Sequence, residues 1–150
     1  MLPIALRAYD PATDRNFVFQ SWINSYRNSD RAGVLPDHVF YPLHKIVINQ
    51  LLARGMKITM AVSPDDRDQI LGYIAYEPSV LHFVFLKDFV RRQGAASLLL
   101  ASAHFDRTKP IFHTHWTADV KYLGKHMVHR PGFARRKLPY DPAADGPLNG

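Results

Sequence analysis

The sequence predicts a single α+β domain with an antiparallel meander in its middle and a helical crossover after it. Three observations predict this class. Strand and helix patterns follow the order strand, two helices, three strands, helix, strand, helix and strand. The segment Val80 to Leu86 is apolar except for His82, which is typical of a strand buried on both faces. The chain has 150 residues, the length of one domain, and 47% of them are apolar, so a sizeable core is expected.

The first third of the chain predicts a short strand and two helices. The strand covers Pro3 to Ala8. Asp10 as N-cap, followed by Pro11, marks the start of the first helix. A second helix is predicted from about Pro42 to Gly55, because glycine commonly ends a helix. The apolar residues expected to face inward are Phe19, Trp22, Ile23 and Tyr26 on the first helix, and Leu43, Ile46, Val47 and Leu51 on the second.

The middle of the chain predicts three consecutive strands. They cover Met56 to Val62, Gln69 to Glu77 and Val80 to Leu86, separated by short polar turns. Gly72 lies inside the second of these strands and is expected to mark a β-bulge.

The last third predicts two more strands with a weaker helix between them. The strands cover Pro110 to Trp116 and Arg130 to Leu138, and the helix covers Thr117 to Met127. Residues 1–140 are thus expected to form the domain. Residues 141–150 are rich in Pro, Gly and Asp and are expected to form a disordered tail.

A short basic loop connects the buried strand to the next helix. After Lys87-Asp88 comes the run Arg91-Arg92-Gln93-Gly94-Ala95-Ala96-Ser97, followed by an apolar stretch of helical length. The first N–H groups of a helix are unpaired and lie in positive potential, and Gly94 lets a ligand approach the main chain. The two arginines add positive charge. The loop therefore predicts a phosphate-binding site.

This loop differs from the common phosphate loops, since it contains neither Gly-Lys-Ser/Thr nor Gly-x-Gly-x-x-Gly. It resembles the coenzyme A loop of the GNAT superfamily of N-acetyltransferases, usually written Gln/Arg-x-x-Gly-x-Gly/Ala, which here reads Arg91-x-x-Gly94-x-Ala96. The order of strands and helices over residues 3–138 is also similar to that of the GNAT fold. The resemblance implies a mixed, mostly antiparallel sheet that is splayed between strands four and five and flanked by helices.

The resemblance also implies how acetyl-CoA, the co-substrate, would bind. The pantetheine arm would pair with the main chain of the fourth strand, and the pyrophosphate would lie on the basic loop. An extended arm that carries amides can add to a strand edge as a peptide does. The coenzyme-binding residues so implied are Val84, Phe85, Leu86, Arg91, Arg92, Gln93, Gly94, Ala95, Ala96 and Ser97.

The activity that the resemblance implies is direct transfer of the acetyl group from the thioester to a primary amine. The amine must be neutral, which requires a base, and the leaving thiolate needs a proton. The candidates for the base are Glu77, His113 and His115. The two histidines stand two apart on a strand and so face the same side, and imidazole titrates near neutrality. Tyr122 is the candidate proton donor to the thiolate.

Each of these residues also has a purely structural interpretation. Glu77 fits a surface turn, Trp22 and Tyr26 fit core packing, and the two histidines fit packed or exposed positions. His113-x-His115 could bind a metal ion, but no third ligand stands at a fixed spacing, so no metal site is predicted.

Two other functions stay open. The net charge of +6 would suit an enzyme of the same fold that modifies a nucleobase in DNA or RNA. A non-catalytic acyl-CoA-binding module is the second, because the fifth strand lacks the Glu usual in relatives and Gly132-Phe133 lies far from Tyr122. The acceptor and the oligomeric state are not predicted.

The composition limits the kinds of chemistry and the cellular compartment that the sequence predicts. The chain has no cysteine, which excludes disulfides, thiolate metal sites and cysteine nucleophiles and fits a cytoplasmic protein. Its apolar runs fall short of the roughly 20 residues that a membrane helix needs, so no membrane contact is predicted. The N-terminus is too short and too soon charged for a secretory signal.

Overall fold

The computed structural model describes residues 3–27, 36–91, 94–105, 108, 111–113 and 127–129. These residues form one six-stranded sheet with helices on both faces. The elements in chain order are β1 (Ala5–Ala8), α1 (Pro11–Arg27), α2 (Asp37–Ala53), β2 (Lys57–Ser63), β3 (Asp66–Glu77), β4 (Val80–Leu86), a 3₁₀ turn (Asp88–Val90), α3 (Ala95–Ser102), β5 (Ile111–His113) and β6 (Met127–His129).

The strands lie side by side in the order in which they occur along the chain. The first four pair antiparallel, whereas β5 runs parallel to β4 and β6 runs parallel to β5. A parallel neighbour requires a crossover connection, and α3 lies in the segment that joins β4 to β5. The predicted fold class, a mixed and mostly antiparallel sheet flanked by helices, is confirmed.

The core has two layers, one on each face of the sheet. Alternate residues of the strands point to opposite faces, so each strand supplies both layers. On one face α1 and α2 cover the layer that contains Trp22, Met60 and Phe83. On the other face α3 covers the layer that contains Ile74 and Leu99. Because both faces are covered, β4 is buried along almost its whole length, as its apolar sequence predicts.

The first helix begins where the sequence predicts. The Asp10 carboxylate accepts a hydrogen bond from the main-chain N–H of Ala12 at 3.0 Å, as an N-cap does. Asp14, in the first turn, is buried and binds the Arg7 guanidinium of β1 through two hydrogen bonds of 2.6 and 2.8 Å. The predicted apolar stripe is confirmed, with Trp22 and Ile23 fully buried.

The second helix departs from the prediction in its start and in its buried face. It begins at Asp37, so Pro42 lies inside the helix. Leu43 and Ile46, which we predicted to face inward, are about half exposed, and the buried residues are Phe40, His44, Ile48 and Leu51. Apolar residues surround most of this helix, so its periodicity alone does not select a face. On the buried face of the helix, His44 stacks against Tyr26 of α1, with 5.0 Å between ring centroids.

The bulge predicted at Gly72 is confirmed. Ala61 pairs with Gly72 but the next residue, Val62, pairs with Ile70, so β3 carries one extra residue here. A side chain at Gly72 would collide with the main-chain oxygen of Phe85 in the neighbouring strand.

The C-terminal third differs from the prediction where the structure describes it. The described part of the fifth strand is Ile111–His113, inside the predicted range. The next described strand is Met127–His129, although Met127 was predicted to end a helix. The predicted strand from Arg130 to Leu138 and the predicted tail lie outside the described residues.

Candidate functional site

The edge of β4 that faces β5 forms one side of the candidate site. In the described part of the chain, the ladder between these strands covers only Val80, opposite Phe112, and Leu81, opposite His113. The Phe112 N–H also donates to the Ser79 oxygen at 2.9 Å. The described ladder therefore includes the start of β4, and the predicted splay between strands four and five stays a prediction.

The N-terminus of α3 forms the second part of the site and follows β4 after eight residues of chain. Gly94 is the N-cap and adopts the left-handed conformation, with φ of 81°, which favours glycine. Its carbonyl oxygen accepts from the Leu98 N–H at 3.1 Å, the first hydrogen bond of the helix. No described side chain caps this end, so its first N–H groups are oriented to bind an anion.

The predicted coenzyme-binding residues occupy these two elements. Val84 and Leu86 pack in the layer under α3, and Phe85 is half-buried on the opposite face. Arg91 is partly exposed and pairs with Asp88 at 3.1 Å. Gly94, Ala95, Ala96 and Ser97 form the cap and first turn of α3, whereas Arg92 and Gln93 lie outside the described residues. Binding of coenzyme A by this set stays a prediction.

The predicted catalytic residues are described only in part. The main chain of His113 lies in β5, opposite Leu81 of β4. His115 and Tyr122 lie outside the described residues. Their proposed roles, and that of the His113 side chain, stay predictions.

Glu77 differs from its prediction as a surface turn residue, because only 5% of its surface is exposed. It ends β3, and its carboxylate binds the guanidinium of Arg54, the residue that follows α2. Arg54 Nε lies 3.0 and 3.1 Å from the two carboxylate oxygens, and Nη2 lies 2.5 Å from Oε1. His82 of β4, which is fully buried, places Nε2 2.5 Å from the same Oε1. The three side chains form a buried ionic network.

Burial and hydrogen bonding within this network determine the protonation states of Glu77 and His82. Burial alone would raise the pKa of Glu77, but the hydrogen bonds from His82 and Arg54 outweigh it and hold the pKa below its usual value. Burial lowers the pKa of His82, in spite of the opposing hydrogen bond and charge of Glu77. Near neutral pH the network therefore contains a carboxylate, a guanidinium and a neutral imidazole that donates its Nε2–H to Glu77.

Sequence reasoning missed Arg54 and gave His82 no role. The only signal for His82 is that it is the single polar residue in an otherwise apolar strand. Arg54 had no signal, because a basic residue at the end of a helix is common on protein surfaces.

The aromatic residues of α1 have the structural role that the sequence favoured. Trp22 is fully buried and stacks on Phe83, and Tyr26 packs between α1 and α2 against Phe40 and His44. A separate groove of about 350 Å³ lies between the two helices, away from the β4 edge, and is lined by Arg15, Asn16, Phe19, Gln20, Ile23, Tyr41 and Lys45.

The described residues contain no group of three His, Asp or Glu side chains placed to hold a metal ion. None of their helices has both the length and the apolar character needed to cross a bilayer.

The fold is similar to that of solved acetyltransferase structures. A protein from Pyrococcus furiosus assigned as an acetyl transferase matches with a TM-score of 0.55 and 15% identity, over 95% of this chain and 87% of its own. An assigned acetyltransferase from Acinetobacter baylyi matches with a TM-score of 0.50 and 13% identity, over 69% of this chain and 61% of its own. A glucosamine N-acetyltransferase region of a fungal multi-domain β-N-acetylglucosaminidase matches with a TM-score of 0.50 and 17% identity, over 69% of this chain and 12% of its own.

The alignment spans less than two thirds of the latter two chains. No protein-family model matches the sequence, and no curated protein matches it either. Matches at sequence identities this low support similarity of fold but do not establish the activity. The strand order and the comparisons agree, and this chain has the GNAT acetyltransferase fold.

Proposed function

We propose that this protein transfers an acetyl group from acetyl-CoA to a primary amine. The proposal rests on one observation: two candidate binding elements follow each other along the chain. The β4 edge leads through the 3₁₀ turn and Arg91 directly to the N-terminus of α3. An extended amide-bearing arm suits the first element, and a pyrophosphate suits the second.

The coenzyme half of the site combines three contributions to anion binding. The N–H groups at the start of α3 supply donors, the dipole of the helix supplies positive potential, and Arg91, which also pairs with Asp88, supplies a positively charged side chain. Gly94 keeps the approach to the main chain free of a side chain. Gly94 thus serves two purposes at one position: it adopts the left-handed main-chain conformation, and it leaves room for the phosphate to approach.

The transfer itself would use residues near the β4–β5 gap. The amine nitrogen attacks the thioester carbon, and main-chain N–H groups of β4 are suitable donors to the oxyanion that forms. Tyr122 would protonate the leaving thiolate, and His113 or His115 are the sequence-derived candidates for the base. The solved structures of similar fold named for acetyl transfer support the reaction class by analogy.

Calorimetry tests the coenzyme half. We expect acetyl-CoA to bind, 3′-dephospho-CoA to bind more weakly, and pantetheine, which lacks the 3′-phosphate and the pyrophosphate, to bind much more weakly. Equal affinity for coenzyme A and pantetheine would show that the loop before α3 is not the phosphate site.

Thiol release tests the reaction. Acetyl-CoA is incubated with a panel of primary amines that includes an aliphatic diamine, an amino sugar and a lysine-bearing peptide, and free coenzyme A is measured. Tight binding of acetyl-CoA without release for any amine would favour a non-catalytic acyl-CoA-binding module. Salt-dependent binding to DNA or RNA, with acetylation of a base, would favour the nucleobase-modifying alternative.

A further inference from the structure

The groove between α1 and α2 is held open by two hydrogen bonds that join the helices. Arg15 of α1 donates from Nη2 to the side-chain oxygen of Asn49 of α2 at 2.9 Å. Tyr41 of α2 donates its hydroxyl hydrogen to the side-chain oxygen of Asn24 of α1, also at 2.9 Å. Residue numbers rise along α1 as they fall along α2 between these two bonds, so the helices run antiparallel. The bonds therefore fix the helices to each other and preorganise the groove.

The groove combines an apolar floor with a polar rim. The floor consists of Phe19 and Ile23 of α1, which are only 6% and 1% exposed. Gln20 of α1 and Lys45 of α2 are exposed and belong to the rim. The volume of about 350 Å³ lies within the range of about 300–1,000 Å³ that is usual for small-molecule sites. The groove thus has the size and the lining of a small-molecule site.

Two cationic side chains line the groove. Arg15 is held by Asn49 and by the ring of Phe19, whose centroid lies 4.5 Å from the guanidinium carbon. Asn49 takes one of the five N–H donors of Arg15, so other donors remain for a ligand. The groove lining that the structure describes includes no Asp or Glu, and no carboxylate pairs with Lys45 in the same part of the chain. The lining therefore favours an anion.

The two cations are spaced along the groove. Lys45 stands four residues from Asn49, the partner of Arg15, and one such helical turn is about 6 Å. Asn16 and Gln20, on the α1 side, add amide groups that can donate or accept hydrogen bonds. This spacing suits a molecule with two acidic groups and a short apolar body between them.

We propose that this groove binds a small α,ω-dicarboxylate, with one carboxylate on Arg15, the other on Lys45, and the carbon chain over Phe19 and Ile23. The planar guanidinium suits bidentate binding of a carboxylate, and the lysine ammonium acts as a point charge. The apolar floor removes the carbon chain from water. The site is separate from the one proposed for acetyl transfer, and its occupation requires neither the coenzyme nor turnover.

Calorimetry and thermal melting with the series from succinate to suberate test the proposal on the wild-type protein. At least one member should bind with a stoichiometry of one and a dissociation constant of about 1 mM or lower. It should also raise the melting temperature, because it binds only the folded state. The monocarboxylate of the same chain length should bind at least about tenfold more weakly, because it has one acidic group for two cations. The diamine of that length should not bind, and added salt should weaken the dicarboxylate.

Variants locate the binding. Lys45→Met and Arg15→Met should each lower the affinity at least about tenfold. The matched control is Lys57→Met, which removes an exposed lysine of β2 outside the groove and should keep the affinity within about twofold. Asn49→Ala removes the hydrogen bond to Arg15 but keeps the guanidinium, so its effect should be smaller than that of Arg15→Met. Equal losses in Lys45→Met and Lys57→Met would assign the binding to net charge and overturn the proposal.

NMR of the wild-type protein identifies the site without a variant. On titration with the dicarboxylate that binds most tightly, the side-chain amide resonances of Asn16 and Gln20 should move, whereas that of Gln69 in β3 should stay in place. If no member of the series binds, or if binding leaves the resonances of Asn16 and Gln20 unmoved, the groove is not a dicarboxylate site. Either result leaves the proposed acetyl transfer standing, because the two sites are tested separately.

Discussion

The indole ring of Trp22 in α1 stacks on the phenyl ring of Phe83 in β4, with 5.0 Å between ring centroids and 8° between ring planes. Phe83 follows His82, the extra residue of a bulge in β4, so this contact connects the first helix to the strand whose edge is proposed to bind the coenzyme. Both rings are fully buried. We therefore expect α1 to support the geometry of the site without touching a substrate.

Removal of the indole should cost much of the stability of the domain. Trp22→Ala should lower the free energy of unfolding by about 3–5 kcal/mol, because it removes a large buried side chain and leaves a cavity. Phe89→Ala, at a ring that is 56% exposed, is the control and should change it by about 0.5 kcal/mol or less. Urea unfolding measures both. A loss below about 1 kcal/mol for Trp22→Ala would mean that the stacked pair does not hold α1 on β4.

The second prediction separates phosphate binding from backbone strain at Gly94. Gly94→Val should abolish binding of acetyl-CoA, because the side chain would fill the space in which the phosphate meets the main chain. It also strains a residue whose φ is 81°, at a cost of about 1–3 kcal/mol. Calorimetry and thermal melting are both required.

Gly55→Val is the matched control. Gly55 has a φ of 102°, and nothing lies within 4 Å of a Cβ placed there. This variant should therefore melt lower, as Gly94→Val does, yet bind acetyl-CoA as tightly as wild type. Equal loss of affinity in both variants would assign the effect to instability.

The third prediction concerns stability in acid. Burial lowers the pKa of His44 from 6.5 to about 4, so the folded protein holds this side chain neutral. A group whose pKa is lower in the folded state stabilises fully above its unfolded pKa, and this stabilisation is lost as the pH falls towards the folded pKa. Stability should thus decline from about pH 6.5 to pH 4, by about 3 kcal/mol for His44 at most.

His44→Leu should reduce this decline, as measured by urea unfolding at several pH values. The decline should not vanish, since the pKa of His82 is also lowered by burial and acts in the same direction. His38→Gln, at an exposed position near the start of α2, is the control and should leave the slope unchanged. A slope that His44→Leu does not alter would place the acid sensitivity elsewhere.

The sequence predicted the parts of the fold that short-range chemistry determines. Asp10 and Pro11 define a helix start, and the apolar run from Val80 to Leu86 predicts a buried strand, because each signal lies within a few residues. The buried face of α2 could not be predicted in this way. Its selection depends on Tyr26 of another helix, with which His44 stacks.

The same difference between short-range signals and long-range contacts applies to the candidate site. The loop before α3 is one continuous segment, so its spacing could be recognised. The Arg54–Glu77–His82 network joins a helix end, a strand end and a bulge, and residues 54 and 77 are neighbours only through the fold. The β4 bulge also has no glycine to signal it, unlike the β3 bulge at Gly72. Long-range juxtaposition of this kind leaves no local pattern.

The final prediction addresses the acid and the competing bases. Tyr122→Phe should lower kcat by at least about tenfold with little change in affinity for acetyl-CoA, because the hydroxyl would protonate the thiolate only as it leaves. Tyr41→Phe, which removes a hydroxyl bonded to Asn24 between α1 and α2, is the control and should keep the wild-type rate. The double change His113→Ala with His115→Ala should remove the acidic limb of the pH–rate profile, because the imidazoles of the fifth strand are the candidate bases. A double variant that keeps this limb would place the base elsewhere.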